Sequence, residues 1–183
     1  LADLEHARRL LEPSIETKAS THAFVAARYG YALAMAARLE ESLAAHERSA
    51  ALARESGDVR ALVSALQDEG NLLQQLGHID KARERFELSR EQAIAAGDEA
   101  GEMRAYAGVA FVHLEAFELE ASREAYAKAI AIGERGVAPR LHAIVLGYSA
   151  VLHLEHERLE RAIALAARAV ANSSRLGFRL GEG

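Results

Sequence analysis

The same residue types recur in this chain every 40 residues, and this recurrence limits the folds that the chain can adopt. One recurring position is aliphatic and three are small, and each keeps its type through four copies. The four sets are Leu39, Ile79, Leu119 and Leu159; Ser42, Ala82, Ser122 and Ala162; Ser49, Ser89, Ala129 and Ala169; and Ala53, Ala93, Gly133 and Ser173. Within one copy these positions lie three, seven and four residues apart, which is the spacing of one face of an α-helix. Each copy therefore predicts a helix with a small face that a neighbouring helix can approach closely.

The composition supports helices throughout the chain. Of its 183 residues 50% are hydrophobic, and the apolar residues are mostly Ala and Leu, which favour helices. The chain has only two prolines, and Val, Ile and Thr are too sparse to indicate a sheet. The sequence therefore predicts an all-α fold.

Charge and cysteine content exclude several classes of protein and site. The formal net charge is -5 and no basic stripe is visible, so we expect no direct contact with nucleic acid. The chain has no Cys, which excludes disulfides and thiolate metal sites. No apolar run approaches the roughly 18 residues of a membrane span, so we expect no membrane partner and a cytoplasmic location. The richness in Ala and the preference for Arg over Lys indicate a bacterial sequence.

A second helix is predicted before each small-faced helix, and its marker is a glycine. Gly30, Gly70 and Gly108 fall inside these helices, where glycine costs about 1 kcal/mol relative to alanine. Close packing of the two helices is the plainest reason for keeping them. Since Gly70 and Gly108 are only 38 residues apart, we expect the turn of the third and fourth copies to be two residues longer. In the fourth copy the glycine position falls on Tyr148, with Gly147 beside it, and the register stays open.

The predicted organisation is a lone helix followed by four helix pairs. The lone helix spans 2–12, and the pairs span 19–36/40–56, 59–76/79–96, 99–116/118–134 and 139–155/158–175. The repeats are then 19–58, 59–98, 99–138 and 139–177, within a single repeat domain over 1–183. Gly57-Asp58 and Gly97-Asp98 supply a left-handed helix end followed by a cap for the next helix. Apolar residues near both ends predict either a piece of a longer array or a dimer.

The stretch 70–89, GNLLQQLGHIDKARERFELS, resembles a tetratricopeptide repeat (TPR). The positions that carry the resemblance are Gly70, Leu73, Gly77, Ala82, Phe86 and Ser89. The period of about 40 exceeds the family's 34 and is similar to the long form in bacterial multidomain regulators and Leu-Gly-Asn repeat scaffolds. The resemblance implies a right-handed superhelical solenoid of antiparallel helix pairs, in which the first helices line a concave groove.

Exposed positions beside each glycine of the first helices are the predicted binding residues. They are Tyr31, Met35, Ser64, Gln67, Asn71, Gln74, Gln75, Glu102, Val109, His113, Ser149 and His153. The amides of the second copy can donate to and accept from the backbone of an extended peptide. The alternative is an ordinary solvated helix face. Because these positions lack a cluster of Lys and Arg, we expect no clamp for a C-terminal carboxylate.

These patterns predict a protein- or peptide-binding scaffold, such as the sensor or relay module of a bacterial regulator. One alternative is a self-association module that forms a homodimer. Another is a small-ligand receptor or enzyme that uses His113 and His153. No nucleophile elbow, HExxH motif or phosphate-binding loop is present, so we expect no enzyme activity, no cofactor and no metal site.

Overall fold

The computed structural model describes residues 19–155 and 158–176, and this part of the chain is helical without strands. The predicted lone helix at 2–12 lies outside the described residues. The helices are α1 (Ala19–Met35), α2 (Leu39–Ser56), α3 (Val59–Gln75), α4 (Ile79–Ala96), α5 (Glu99–Glu115), α6 (Leu119–Gly133), α7 (Pro139–Glu155) and α8 (Leu159–Arg175). They confirm the four predicted helix pairs.

The helices keep a strict 40-residue period, because every one begins 40 residues after its equivalent in the preceding copy. The turn within a pair has the same length in the first three copies, and its middle residue has a positive φ: 57° at Ala37, 78° at Gly77 and 59° at Phe117. One backbone hydrogen bond closes each turn at the same place in all four copies. The bonds run from Arg38 to Leu33, His78 to Leu73, Glu118 to His113, and Arg158 to His153.

The predicted two-residue lengthening of the turn is therefore wrong. Serine hydroxyls give the correct register. Ser42 Oγ donates to the carbonyl of Gly30, and Ser122 Oγ donates to the carbonyl of Ala110. The equivalent of Gly70 in the third copy is thus Ala110, and Gly108 is not a register marker.

The chain divides into two compact units, one ending at Gly101 and the other beginning at Glu102. In the first unit α1 pairs with α2, and Ser42 and Ser49 of α2 donate to Gly30 and Ala23 of α1. The order of the acceptors is reversed relative to the donors, so the two helices are antiparallel. Helix α2 also packs on α3, and α3 pairs with α4. In the second unit α7 packs on α6 and pairs with α8.

The predicted helix boundaries between pairs are confirmed by their cap geometry. Gly57 and Gly97 adopt left-handed φ values of 69° and 65° at the ends of α2 and α4. The carboxylate of Asp58 accepts from the amide of Ala61, and that of Asp98 from the amide of Gly101. These bonds satisfy donors that the first turn of a helix leaves without intrahelical partners.

Among the described helices, none combines the length and the apolar composition that crossing a bilayer requires.

Candidate binding surface

The inner side of each first helix is fixed by a ring from the second helix of the same pair. A β-carbon at Gly30 would come within 2.6 Å of the imidazole of His46, and one at Gly70 within 2.7 Å of the ring of Phe86. Both rings are buried. The predicted role of Gly30 and Gly70 in close helix packing is therefore confirmed. Because this contact fixes the inner side, the opposite side of each first helix faces outward.

The outward side of α1 carries three large apolar side chains. Phe24 is 65% exposed, Tyr31 56% and Met35 73%. They lie seven and four residues apart, so they form one row along the helix. The guanidinium of Arg28 lies 5.4 Å from the ring centroid of Tyr31, which favours one position of that ring. Three exposed large side chains in one row form a ready contact strip for a partner.

The outward side of α3 carries a polar row at the equivalent positions. Ser64, Asn71 and Gln75 are exposed, and each lies 40 residues after its counterpart on α1. Helices α1 and α3 contact each other in the first unit. We call Phe24, Tyr31 and Met35 together with Ser64, Asn71 and Gln75 the α1–α3 face. It places an apolar row beside a row that can donate and accept hydrogen bonds.

Gln67 does not belong to this face, and its predicted exposure is wrong. Its side chain is only 6% exposed, and its Nε2 donates a 2.8 Å hydrogen bond to the carbonyl of Gly101. The amide therefore ties α3 to the first turn of α5. Gln74 is half-buried, between these extremes.

In the second unit the predicted positions point inward, because the register from Gly108 was wrong by two residues. Val109, Ser149 and His153 are buried. Glu102 and His113 are half-buried, and Nδ1 of His113 contacts the carboxylate of Glu118. The turn-closing bonds make His113 and His153 the equivalents of Leu33 and Leu73, which are core residues.

The correct register identifies outward positions that the sequence analysis missed. On α5 they are Arg104, Phe111 and Glu115, and on α7 they are Ile144 and Val151. All but the half-buried Phe111 are exposed. The signal was present in the aliphatic and small columns, which keep 40 residues throughout, whereas Gly108 belongs to no column.

Two ionisable groups are buried beneath the α1–α3 face. Burial lowers the pKa of His46, although Oδ2 of Asp68 lies 3.5 Å from its Nδ1. Burial raises the pKa of Glu69 despite the guanidinium of Arg85, whose Nε lies 2.7 Å from its Oε2. Both groups are held within helix packing rather than presented to a ligand, so we assign them structural roles.

The part of the chain that the structure describes contains no cluster of three or more His, Cys, Asp or Glu side chains that could hold a metal ion. The chemistry of the described surface is that of apolar contact and amide hydrogen bonding.

The sequence matches no protein-family model and no curated protein. Its structure resembles the apo form of RapI, with 13% identity and a TM-score of 0.84 over 96% of this chain and 64% of RapI. It resembles the Rap conjugation gene regulator of the plasmid pLS20, solved in complex with a peptide, with 14% identity and a TM-score of 0.79 over 95% of this chain and 48% of that one. It also resembles a kinesin light chain protein of TPR-like repeats from Podosopora anserina, with 10% identity and a TM-score of 0.72 over 95% and 85% of the two chains.

These similarities confirm the predicted fold class, an all-α solenoid of tandem antiparallel helix pairs of the TPR-like type. This chain spans less than two thirds of the length of RapI and about half of the pLS20 regulator. At this level of identity the similarity concerns the fold.

Proposed function

We propose that this chain is a non-enzymatic scaffold that binds a peptide or an extended protein segment on the α1–α3 face. The observation that carries the proposal is the exposed row of Phe24, Tyr31 and Met35 beside the exposed amides of Asn71 and Gln75. The pLS20 regulator, solved with a peptide, supports this choice because its fold is similar.

The two rows suit the two parts of an extended peptide. A peptide backbone has an N–H and a C=O at each residue, and a side-chain amide can pair with both. The aromatic and thioether groups of Tyr31 and Met35 can receive apolar side chains, since Met adapts its shape to its partner. Aromatic residues also supply a large share of binding energy at interfaces.

The wider setting belongs to the same proposal. We propose that the repeats are of the long-period type and form one repeat domain over 1–183, which serves as the sensor or relay module of a bacterial cytoplasmic regulator. The concave groove along all first helices, including Glu102 and His113, remains a prediction within it.

The test uses a phage-displayed library of random peptides selected on the purified chain. Selected peptides are then titrated by fluorescence anisotropy against wild type, Tyr31→Ala/Met35→Ala and Asn71→Ala/Gln75→Ala. We expect each double variant to weaken binding by roughly 10- to 100-fold. The matched control is Glu84→Ala/Glu91→Ala, which changes two exposed positions on α4 and should leave binding unchanged.

Two results would count against the proposal. One is a selection that yields no peptide with measurable affinity. The other is binding that the α4 control weakens as much as the face variants, since the peptide would then lie on the opposite side of the repeat.

A further inference from the structure

An apolar channel runs between α7 and α8 in the second unit. Its two ridges consist of six aliphatic side chains, each 50–60% exposed. They are Ile144, Val151 and Leu154 on α7 and Leu159, Ile163 and Val170 on α8. Its floor is formed by small residues, among them Ala143, Gly147, Ala162 and Ala166. The channel has a volume of about 630 Å³, and we call it the α7–α8 channel.

The channel exists because the fourth repeat lacks a large residue that the others have. The equivalents of Ala166 at 40-residue spacing are His46, Phe86 and Tyr126, all buried rings. In the first two repeats the ring packs against the glycine of the first helix. In the fourth repeat alanine stands there, and a β-carbon added at Gly147 would meet no atom within 4 Å.

The ridges are more apolar than their counterparts in the second repeat. Five of the six ridge positions are occupied there by polar residues. These are Ser64, Asn71, Gln74, Arg83 and Arg90. The second repeat is built on the same helix pair, so the pair itself does not require aliphatic ridges. Their apolar character indicates that the ridges of the fourth repeat contact another apolar surface.

We propose that a second copy of this chain covers the α7–α8 channel, in a two-fold symmetric dimer. At roughly 100 Å² each, the six ridge side chains expose on the order of 600 Å² of apolar surface, at the upper end for a monomer. The small floor residues add to this. A standard interface takes about 800 Å² from each partner, so one copy of the channel is sufficient for one side of a dimer.

The shape and charge of the channel suit its own copy. On α8 the residues Ile163, Ala166 and Val170 give a large, small, large order along one row. A two-fold axis near Ala166 brings the two helices together antiparallel and places Ile163 of each copy beside Val170 of the other. Arg140 is the one charged side chain among the described residues that line the channel. Two copies can therefore meet without like charges at the centre of the interface.

The first test measures the mass of the full 183-residue chain in solution by sedimentation equilibrium over a range of concentrations. We expect wild type to reach twice the 19.8 kDa of one chain. Ile163→Arg should weaken the dimer by roughly 100-fold, because each dimer would bury two unpaired charges. The control Ala167→Arg changes an exposed position of the same helix outside the channel and should leave the mass unchanged.

The second test uses the absence of cysteine in the chain. Ala166→Cys should give a covalent dimer with a short bismaleimide linker, whereas Ala51→Cys, at an exposed position on α2, should not. A chain that stays monomeric at every concentration would overturn the proposal, since another segment or protein would then have to cover the channel. A dimer that Ile163→Arg leaves intact would overturn it too. Peptide binding on the α1–α3 face is measured separately, so either proposal can fail alone.

Discussion

The ring of Phe86 packs directly against the backbone of Gly70, so that a β-carbon at Gly70 would lie 2.7 Å from the ring edge. The ring is buried and cannot move into solvent. The contact brings α3 and α4 closer than any side chain at position 70 allows. It therefore positions α3, and with it the amide row of the α1–α3 face.

Gly70→Ala should destabilise the chain in spite of the higher helix propensity of alanine. The substitution gains about 1 kcal/mol in propensity but forces the Phe86 ring and the helix apart, which costs about 1–3 kcal/mol. We expect a net loss of about 1 kcal/mol or more in urea unfolding. Gly147→Ala is the matched control, because no atom lies within 4 Å of its added β-carbon, and it should gain up to about 1 kcal/mol. Equal effects at the two glycines would contradict the packing explanation.

Phe117→Gly should stabilise the chain. Phe117 has a φ of 59° and its side chain is 86% exposed, so the ring contributes little burial while the backbone is strained. Its equivalent in the second repeat is Gly77, which adopts the same conformation without strain. We expect a gain of up to about 1 kcal/mol for Phe117→Gly and a loss of about 1 kcal/mol for Gly77→Ala, both measured by thermal unfolding. A loss for Phe117→Gly would show that the exposed ring makes a contact of its own.

The repeat period, the helix pairs and the caps could be predicted from sequence because small and aliphatic residues recur where helices must touch. The register of the third copy could not be read from glycine. Ala110 fills the close-contact position there, and Gly108 lies two residues before it. Gln67 shows a second limit, because sequence alone does not distinguish an amide that binds a backbone within the chain from one that faces solvent.

His46→Phe should remove a loss of stability at acidic pH. Burial lowers the pKa of His46, so the folded chain binds a proton less readily than the unfolded chain. Wild type should therefore lose stability as the pH falls below the ordinary histidine pKa of about 6.5. Phe86 shows that a phenylalanine ring fits the equivalent position. The free energy of unfolding, measured at several pH values, should diverge from wild type toward acidic pH, and parallel profiles would contradict the explanation.

Glu69→Gln should act on the pH profile with the opposite sign. Burial raises the pKa of Glu69, so the folded chain binds a proton more readily than the unfolded one. Its contribution to stability is therefore complete below the ordinary pKa of about 4.3 and is lost as the pH rises through the raised folded value. Arg85 is partly exposed and can turn to water when the carboxylate is removed. We expect the variant to lack this decline in urea unfolding followed toward neutral pH. A decline that persists in Glu69→Gln would assign it to another group.

Gln67→Ala and Asn71→Ala should separate a structural amide from a binding amide on the same helix. Gln67 is buried and donates to the carbonyl of Gly101, so its loss should destabilise the chain by about 1–2 kcal/mol. Asn71 is exposed, and its substitution should change stability by less than about 0.5 kcal/mol while weakening peptide binding. The two measurements are urea unfolding and anisotropy with a selected peptide. If Asn71→Ala destabilised the chain as much as Gln67→Ala, its effect on binding would follow from disturbed packing, and the amide row would lose its role in recognition.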